Sequence, residues 1–187
     1  MKAIGEAILR ETQPTKAMDV LDYGCGTGLV SLFLLPHVRS VTGADSSPGM
    51  LEVLRTKIRE GGITGMKVIQ LDMEKEPAPA DRFPMIVSSM VMHHVANVGR
   101  VLSAFHEMLH PGGVVCIADL DTEPGIFHPT EAAAGVHHHG FDRRAFMDQL
   151  AAIGFEGIRA TTAHVIQKPV EGGEPRDFPV FLVVGRR

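Results

Sequence analysis

Three carboxylates in this sequence each close an apolar run: Asp22 after Val20-Leu21, Asp45 after the stretch 40–44, and Asp72 after the stretch 66–71. Runs of this kind read as strands of a parallel sheet, and open parallel sheets bind ligands outside the carboxyl ends of their strands. The three acids therefore fall on one edge, where carboxylates can accept hydrogen bonds from amines and hydroxyls. Gly24, Gly26 and Gly28 follow the first acid, between the strand reading Ala17–Leu21 and a helix reading 28–35. Strand, glycine turn and helix let backbone N–H groups and a helix N-terminus approach a nucleotide-like ligand. A side chain at these glycines would block that approach or forbid the tight turn. The third glycine comes one residue sooner than in the dinucleotide pattern G-x-G-x-x-G, and Leu29 stands where that pattern has its last glycine, which disfavours a nicotinamide-dependent dehydrogenase. Asp45 lies about 20 residues beyond the glycine loop, where a carboxylate can accept from ribose hydroxyls.

The other reactive side chains are histidines. His93 and His94 follow the strand reading Phe83–Ser89 and are the candidate general bases; the competing reading is a helix-start or surface pair. His137, His138 and His139 form a run, and His-rich tracts bind metals. Three consecutive residues do not point the same way, however, and no Cys or acid stands beside them at metal spacing, so no metal site is expected and contact with a substrate or simple exposure is. Cys25 and Cys116 fall on strands with another between them, roughly 9–10 Å apart at the usual strand spacing, which is beyond disulfide reach.

With 187 residues, 44% hydrophobic and 21% charged, the chain has the size and mixture of one globular domain over 1–187. A net charge of −4 gives no field towards nucleic acid or anionic membrane. Without Trp and with a single Tyr there is little to build a base-stacking surface. The N-terminal segment is amphipathic, with Glu6 in its middle, and lacks the apolar core of a signal peptide. No later run approaches membrane-spanning length, so a cytoplasmic chain with no membrane partner is expected.

In chain order, 2–11 reads as a short helix with Ile4 and Ile8 on one face, ended by Gln13-Pro14-Thr15. Ser47 and Pro48 open a helix at its N-cap and first turn, and Gly61-Gly62 stops it. Met66 to Asp72 reads as the third strand, and Val98 to Leu109 as an amphipathic helix. Val114 to Asp119 follows as the fifth strand. The pattern is lost over 120–140, a candidate loop for recognising the acceptor. Asp142 caps a helix reading Arg143–Ala152. The last strands, Ile158–Val165 and Pro179–Gly185, are joined by a Gly/Pro-rich loop, Gln167–Asp177, without a helix, which makes them an antiparallel pair.

The stretch from Asp22 to Gly28 resembles motif I of the class I S-adenosylmethionine-dependent methyltransferases. Asp45-Ser46-Ser47-Pro48-Gly49-Met50-Leu51 is similar to that family's D-x-S-x-x-M-L pattern, and Leu109-His110-Pro111-Gly112-Gly113 to its L-x-P-G-G. The resemblance spans Val20 to Asp121. It implies an α/β fold with a Rossmann-like, doubly wound seven-stranded sheet of order 3-2-1-4-5-7-6, strand 7 antiparallel. It also implies S-adenosylmethionine as cofactor and S-adenosylhomocysteine as product. The glycine loop, Gly24, Cys25, Gly26 and Gly28, would pass under the methionine part, with Asp22 helping to hold its amino group. Asp45, Ser46 and Met50 would serve the adenosine, Met50 by packing near it or else simply within its helix. Asp72 would accept the adenine amine, or else cap a turn, while Met73 gives a backbone N–H. Ser88 and Ser89 would end the strand facing both cofactor and acceptor.

Ser88-Ser89-Met90-Val91 does not match the N/D-P-P-Y/F of nucleic-acid amino-methyltransferases, so a small-molecule acceptor is expected. Displacement at a sulfonium is accelerated largely by positioning, and a base is needed only when the acceptor loses a proton. The competing class is a cofactor-binding module without turnover that needs a partner. The family's N-terminal lid is reduced here to 2–11, which leaves room for a homodimer to complete the site.

Overall fold

The computed structural model describes residues 2–129, 135–169 and 173–187. Its frame is one sheet of seven strands: β1 (Asp19–Tyr23), β2 (Ser40–Asp45), β3 (Met66–Gln70), β4 (Phe83–Ser89), β5 (Leu109–Leu120), β6 (Glu156–Lys168) and β7 (Arg176–Arg186). The order across the sheet is β3-β2-β1-β4-β5-β7-β6. The first five strands pair in parallel, and β7 runs antiparallel to both its neighbours. This is the expected topology, reversed hairpin included.

The central strands carry apolar residues on both faces because both faces are covered, with Asp22 of β1 and Ser88 and Ser89 of β4 as buried polar exceptions. On β4, Met85 and Val87 point to one core and Ile86 to the other. The first core packs Ile4 and Ile8 of α1 (Lys2–Thr12) and Leu34 of α2 (Leu29–Leu34) against the sheet. The second packs Leu102 and Phe105 of α4 (Val98–Met108) with Phe146 and Leu150 of α5 (Arg143–Ile153). On the β2–β3 side, Leu51 and Leu54 of α3 (Pro48–Glu60) close over Cys25. Ser47 Oγ caps α3 by accepting from the Met50 N–H at 3.3 Å. Asn97 caps α4 through the Arg100 N–H at 3.0 Å, and Asp142 caps α5 through that of Ala145 at 2.8 Å.

Boundaries differ from the sequence reading in ways that matter. The first strand sits two residues later, which places Asp22 inside it, opposite Gly43 and Val87. The third stops at Gln70, so Asp72 belongs to the following turn. The helix after the glycine loop ends at Leu34 and tightens into a 3₁₀ turn, Leu35–His37. The last two strands are longer than expected, with Lys168 opposite Arg176. Polar residues at an edge pair through their backbones and leave no apolar period to read. The expected loop 167–177 shrinks accordingly, and its residues 170–172 lie outside the described ones. Both cysteines are free and buried. Among the described residues, no helix is long and apolar enough to cross a membrane.

Candidate functional site

The glycine loop is stitched to β2: the N–H groups of Gly24 and Cys25 both donate to the Ala44 carbonyl, at 2.7 and 3.0 Å. The three glycines share left-handed backbone but differ in their surroundings. A Cβ on Gly24 would stand 2.2 Å from Val91 Cγ2, and one on Gly28 2.4 Å from Leu54 Cδ1. A Cβ on Gly26, where φ is +52°, would meet nothing within 4 Å. Gly24 and Gly28 therefore permit close packing, and Gly26 is the residue whose bare backbone faces open space. Cys25 is among the residues lining the recess beneath the loop. Its sulfur lies against Gly43 and packs with Leu51 and Leu54, where burial pushes the thiol up.

Beneath the loop is a recess of about 170 Å³ whose lining includes Asp22, Gly24, Gly26 and Ser89. Asp22 is 1% exposed and accepts a 2.5 Å hydrogen bond from Ser31 Oγ of α2. Burial raises its carboxyl to about 6, with Ser31 opposing the shift and the Asp45 charge adding to it. Ser89 Oγ is buried and has no hydrogen-bond partner among the described residues. An unpaired buried hydroxyl costs about 1–3 kcal/mol, so this recess suits the polar end of a ligand. Ser88 is placed differently from the expectation. Its hydroxyl donates to the Tyr23 carbonyl at 2.9 Å and joins β4 to β1 inside the sheet.

Through Gly24 and Gly26 the recess continues into a cleft of about 490 Å³, lined in part by Asp45, Ser46, Met50 and Asp72. That volume falls within the range of small-ligand sites. Asp45 accepts from the Gly26 N–H and the Ser47 N–H, each at 2.8 Å, and so ties the glycine loop to the start of α3. Met50 is 48% exposed on the cleft wall, so it is not a core residue of its helix. Asp72 lines the cleft and also caps its own turn, accepting from the Glu74 N–H at 3.1 Å. Its ion pair with Lys75 at 2.8 Å holds the carboxyl below the usual range. Met73 is a correction: its side chain is fully buried, and its N–H donates to the Tyr23 hydroxyl at 3.3 Å, within the core. The turn is pinned from α4, where Arg100 Nε donates to the Met73 carbonyl at 2.9 Å.

The wall of the cleft towards β4 is formed by Met90, Val91, His94 and Val95. Met90 holds a left-handed φ of 59°. The two histidines after β4 separate in role. His93 is buried, and its Nδ1–H donates to Asp119 Oδ1 at 2.7 Å. His94 is exposed, and its Nδ1–H donates to the Gly135 carbonyl at 2.9 Å. His128, from the 120–140 loop, places its Nε2 at 3.1 Å from His93 Nε2. Burial, and then the neighbouring His93, His94 and Lys168, hold the His128 imidazole below its usual range. The sequence reading missed both Asp119 and His128; one lies next to the end of β5 and the other sits in a stretch without periodicity.

The run 137–139 takes a different part. The N–H groups of His137 and His138 donate to the His93 carbonyl at 2.9 and 3.1 Å, and His139 lies 3.5 Å from Glu123. Part of the candidate acceptor loop, 130–134, lies outside the described residues. Its base is held by the Asp121–Arg143 ion pair at 2.6 Å.

A doubly wound sheet with a reversed C-terminal hairpin, a glycine loop after β1, and acids within β1, at the end of β2 and in the turn after β3 define a Rossmann-like protein with a cleft suited to an adenosine-type cofactor. Residues 20–113 match the family model described as "Methyltransferase domain". The chain belongs to this family, that of the class I S-adenosylmethionine-dependent methyltransferases, whose cofactor is S-adenosylmethionine. It is 32% identical over 163 residues to an uncharacterized methyltransferase of Schizosaccharomyces pombe, covering 81% of this chain and 56% of the relative. It is 31% identical over 112 residues to a ubiquinone biosynthesis O-methyltransferase of Azorhizobium caulinodans, covering 60% and 44%. The chain thus spans about half the length of the curated relatives it matches. Among solved structures, the YcgJ protein of Bacillus subtilis superposes with a TM-score of 0.81 at 16% identity, covering 100% and 99% of the two chains. A methyltransferase from Mesorhizobium loti superposes with a TM-score of 0.70 at 23% identity, covering 98% of each. These likenesses are of fold.

Proposed function

We propose that this chain transfers the methyl group of S-adenosylmethionine to a small molecule. In this reading the amino acid end of the cofactor enters the recess, its ammonium facing Asp22 and a polar atom reaching Ser89 Oγ. The ribose lies on Asp45 beside Ser46, and the adenine lies between Met50 and Asp72. Each Asp45 oxygen already accepts one backbone N–H and keeps lone pairs for the ribose hydroxyls. The observation that carries the reading is the buried, unpartnered Ser89 hydroxyl beside a buried carboxylate, directly beneath the glycine loop.

The acceptor would lie on Met90, Val91, His94 and Val95. With its Nδ1–H fixed on the Gly135 carbonyl, a neutral His94 presents Nε2 as a proton acceptor for a substrate that ionises as it attacks. Of the relatives, those that act in ubiquinone biosynthesis as O-methyltransferases support an oxygen acceptor on a small molecule. The test is transfer of labelled methyl from S-adenosylmethionine to a panel of phenols, amines and thiols. Label on any acceptor supports turnover. Cofactor binding without label on any of them favours a non-catalytic module that needs a partner chain.

A further inference from the structure

We propose that His93, His94 and His128 form a binding site for one divalent transition-metal ion, zinc above all, at the wall of the cleft. Each of the three imidazoles offers one nitrogen, and these nitrogens lie within 4.8 Å of one another. Two tautomers are fixed by what they bond. Asp119 and the Gly135 carbonyl only accept, so His93 and His94 both carry hydrogen on Nδ1, and in the neutral state each presents a bare Nε2 lone pair. The rings crowd together, with centroids 4.2 Å apart for His93–His94 and 5.2 Å for His128 with each.

Two ring nitrogens facing each other at 3.1 Å need a cation or a proton between them. Ligand nitrogens of a tetrahedral zinc at ~2.05 Å stand about 3.3 Å apart, so the His93–His128 pair already has the spacing. The exposed His94 supplies the third nitrogen, within 4.8 Å of the other two.

The surroundings are those of a built site. Asp119 is 0% exposed and is held by the His93 side chain, the His93 N–H at 3.3 Å and the Leu120 N–H at 2.7 Å. A carboxylate on the far nitrogen of a ligating histidine orients the ring and raises its basicity. His128 is positioned by the buried Phe127, whose carbonyl accepts from Lys168 Nζ at 2.5 Å and whose N–H donates to Glu123 at 3.1 Å. Three neutral imidazoles suit zinc, copper or nickel over calcium or magnesium. With only three protein ligands one position stays open, as in catalytic and not structural zinc sites. Because His94 lines the cleft, that position faces it. With the ion present His94 is a ligand and not a base, and an acceptor hydroxyl on the open position releases its proton to solvent more readily. Metal binding itself does not depend on methyl transfer.

The experiment is titration of the chelator-stripped full chain with Co²⁺, followed by its visible spectrum, and displacement by Zn²⁺. One ion per chain is expected. His128→Ala and His94→Ala, both outside the core, should each weaken it at least about tenfold, and Asp119→Asn about 10- to 100-fold. His137→Ala should leave it unchanged. No ion bound would mean a hydrogen-bonded histidine pair only. Binding retained in both His128→Ala and His94→Ala would place the ion away from this cluster. Either result overturns the proposal.

Discussion

Asp22 offers a prediction whose size follows from its burial. Its carboxyl is raised from an ordinary 3.8 to about 6 chiefly by burial, which corresponds to about 3 kcal/mol of preference for the neutral form in the folded chain. The sign follows from proton binding: between these two values the folded chain holds a proton that the unfolded chain has released, so stability from this group is full below about 4 and is lost as the pH rises through about 6. A cofactor ammonium in the recess reverses the preference, because it needs the carboxylate. Affinity for S-adenosylhomocysteine should therefore fall about tenfold per pH unit below about 6 and level off above it. Asp22→Asn removes the titrating group. Its affinity should be flat across that window and, at pH 8, about 10- to 100-fold weaker than wild type, the measure of a lost charge-assisted hydrogen bond. The free variant should nonetheless be more stable than wild type at pH 8, by less than the full 3 kcal/mol because the Ser31 hydrogen bond then goes to a neutral amide and no longer to a carboxylate. Calorimetric titration at pH 5, 6, 7 and 8 and thermal unfolding of both chains provide the numbers. A wild-type affinity that does not change between pH 5 and 7, or the same slope in Asp22→Asn, would refute the placement of the ammonium.

Other substitutions separate the roles of the loop and cleft residues. Gly28→Ala should unfold at lower temperature by the equivalent of at least about 2 kcal/mol, since its Cβ meets Leu54 at 2.4 Å in a left-handed conformation. Gly26→Ala carries only the left-handed cost of about 1–2 kcal/mol, and its larger effect should be on cofactor affinity in the same titration. Asp45→Ala should weaken the cofactor at least about tenfold and also destabilise the fold by about 1–2 kcal/mol, because two backbone N–H groups lose their acceptor. Chemical denaturation would show no loss of stability if that carboxylate served the cofactor alone. At Met90, where φ is 59°, the Gly variant should be more stable than the Ala variant by about 1 kcal/mol; the reverse order would show that the strain is not there.

Sheet order was legible because local periodicity marks each strand, and Asp45 does end its strand, whereas Asp22 sits inside β1 and Asp72 in the turn beyond β3. Asp22, Asp45, Gly26 and Met50 needed only that register to be placed. What the sequence does not show is direction. The Met73 N–H and the Ser88 hydroxyl both turn to Tyr23, and the Cys25 sulfur turns to α3, because packing across the sheet decides which way each points. Nor does local pattern reveal contacts between distant segments. His93 meets Asp119 and His128 across 26 and 35 residues, and the loop that carries His128 has no apolar period to align it. The same stretch, 120–140, was readable only as a break in pattern, although Asp121 and Arg143 fasten its ends.

Whether the cleft between the glycine loop and Asp72 binds S-adenosylmethionine is decided by calorimetric titration of the purified chain. One molecule of S-adenosylmethionine or S-adenosylhomocysteine is expected per chain, with micromolar dissociation constants, and weaker or no binding of NADH. Binding of neither sulfur compound, or tighter binding of NADH, would contradict that assignment of the cleft.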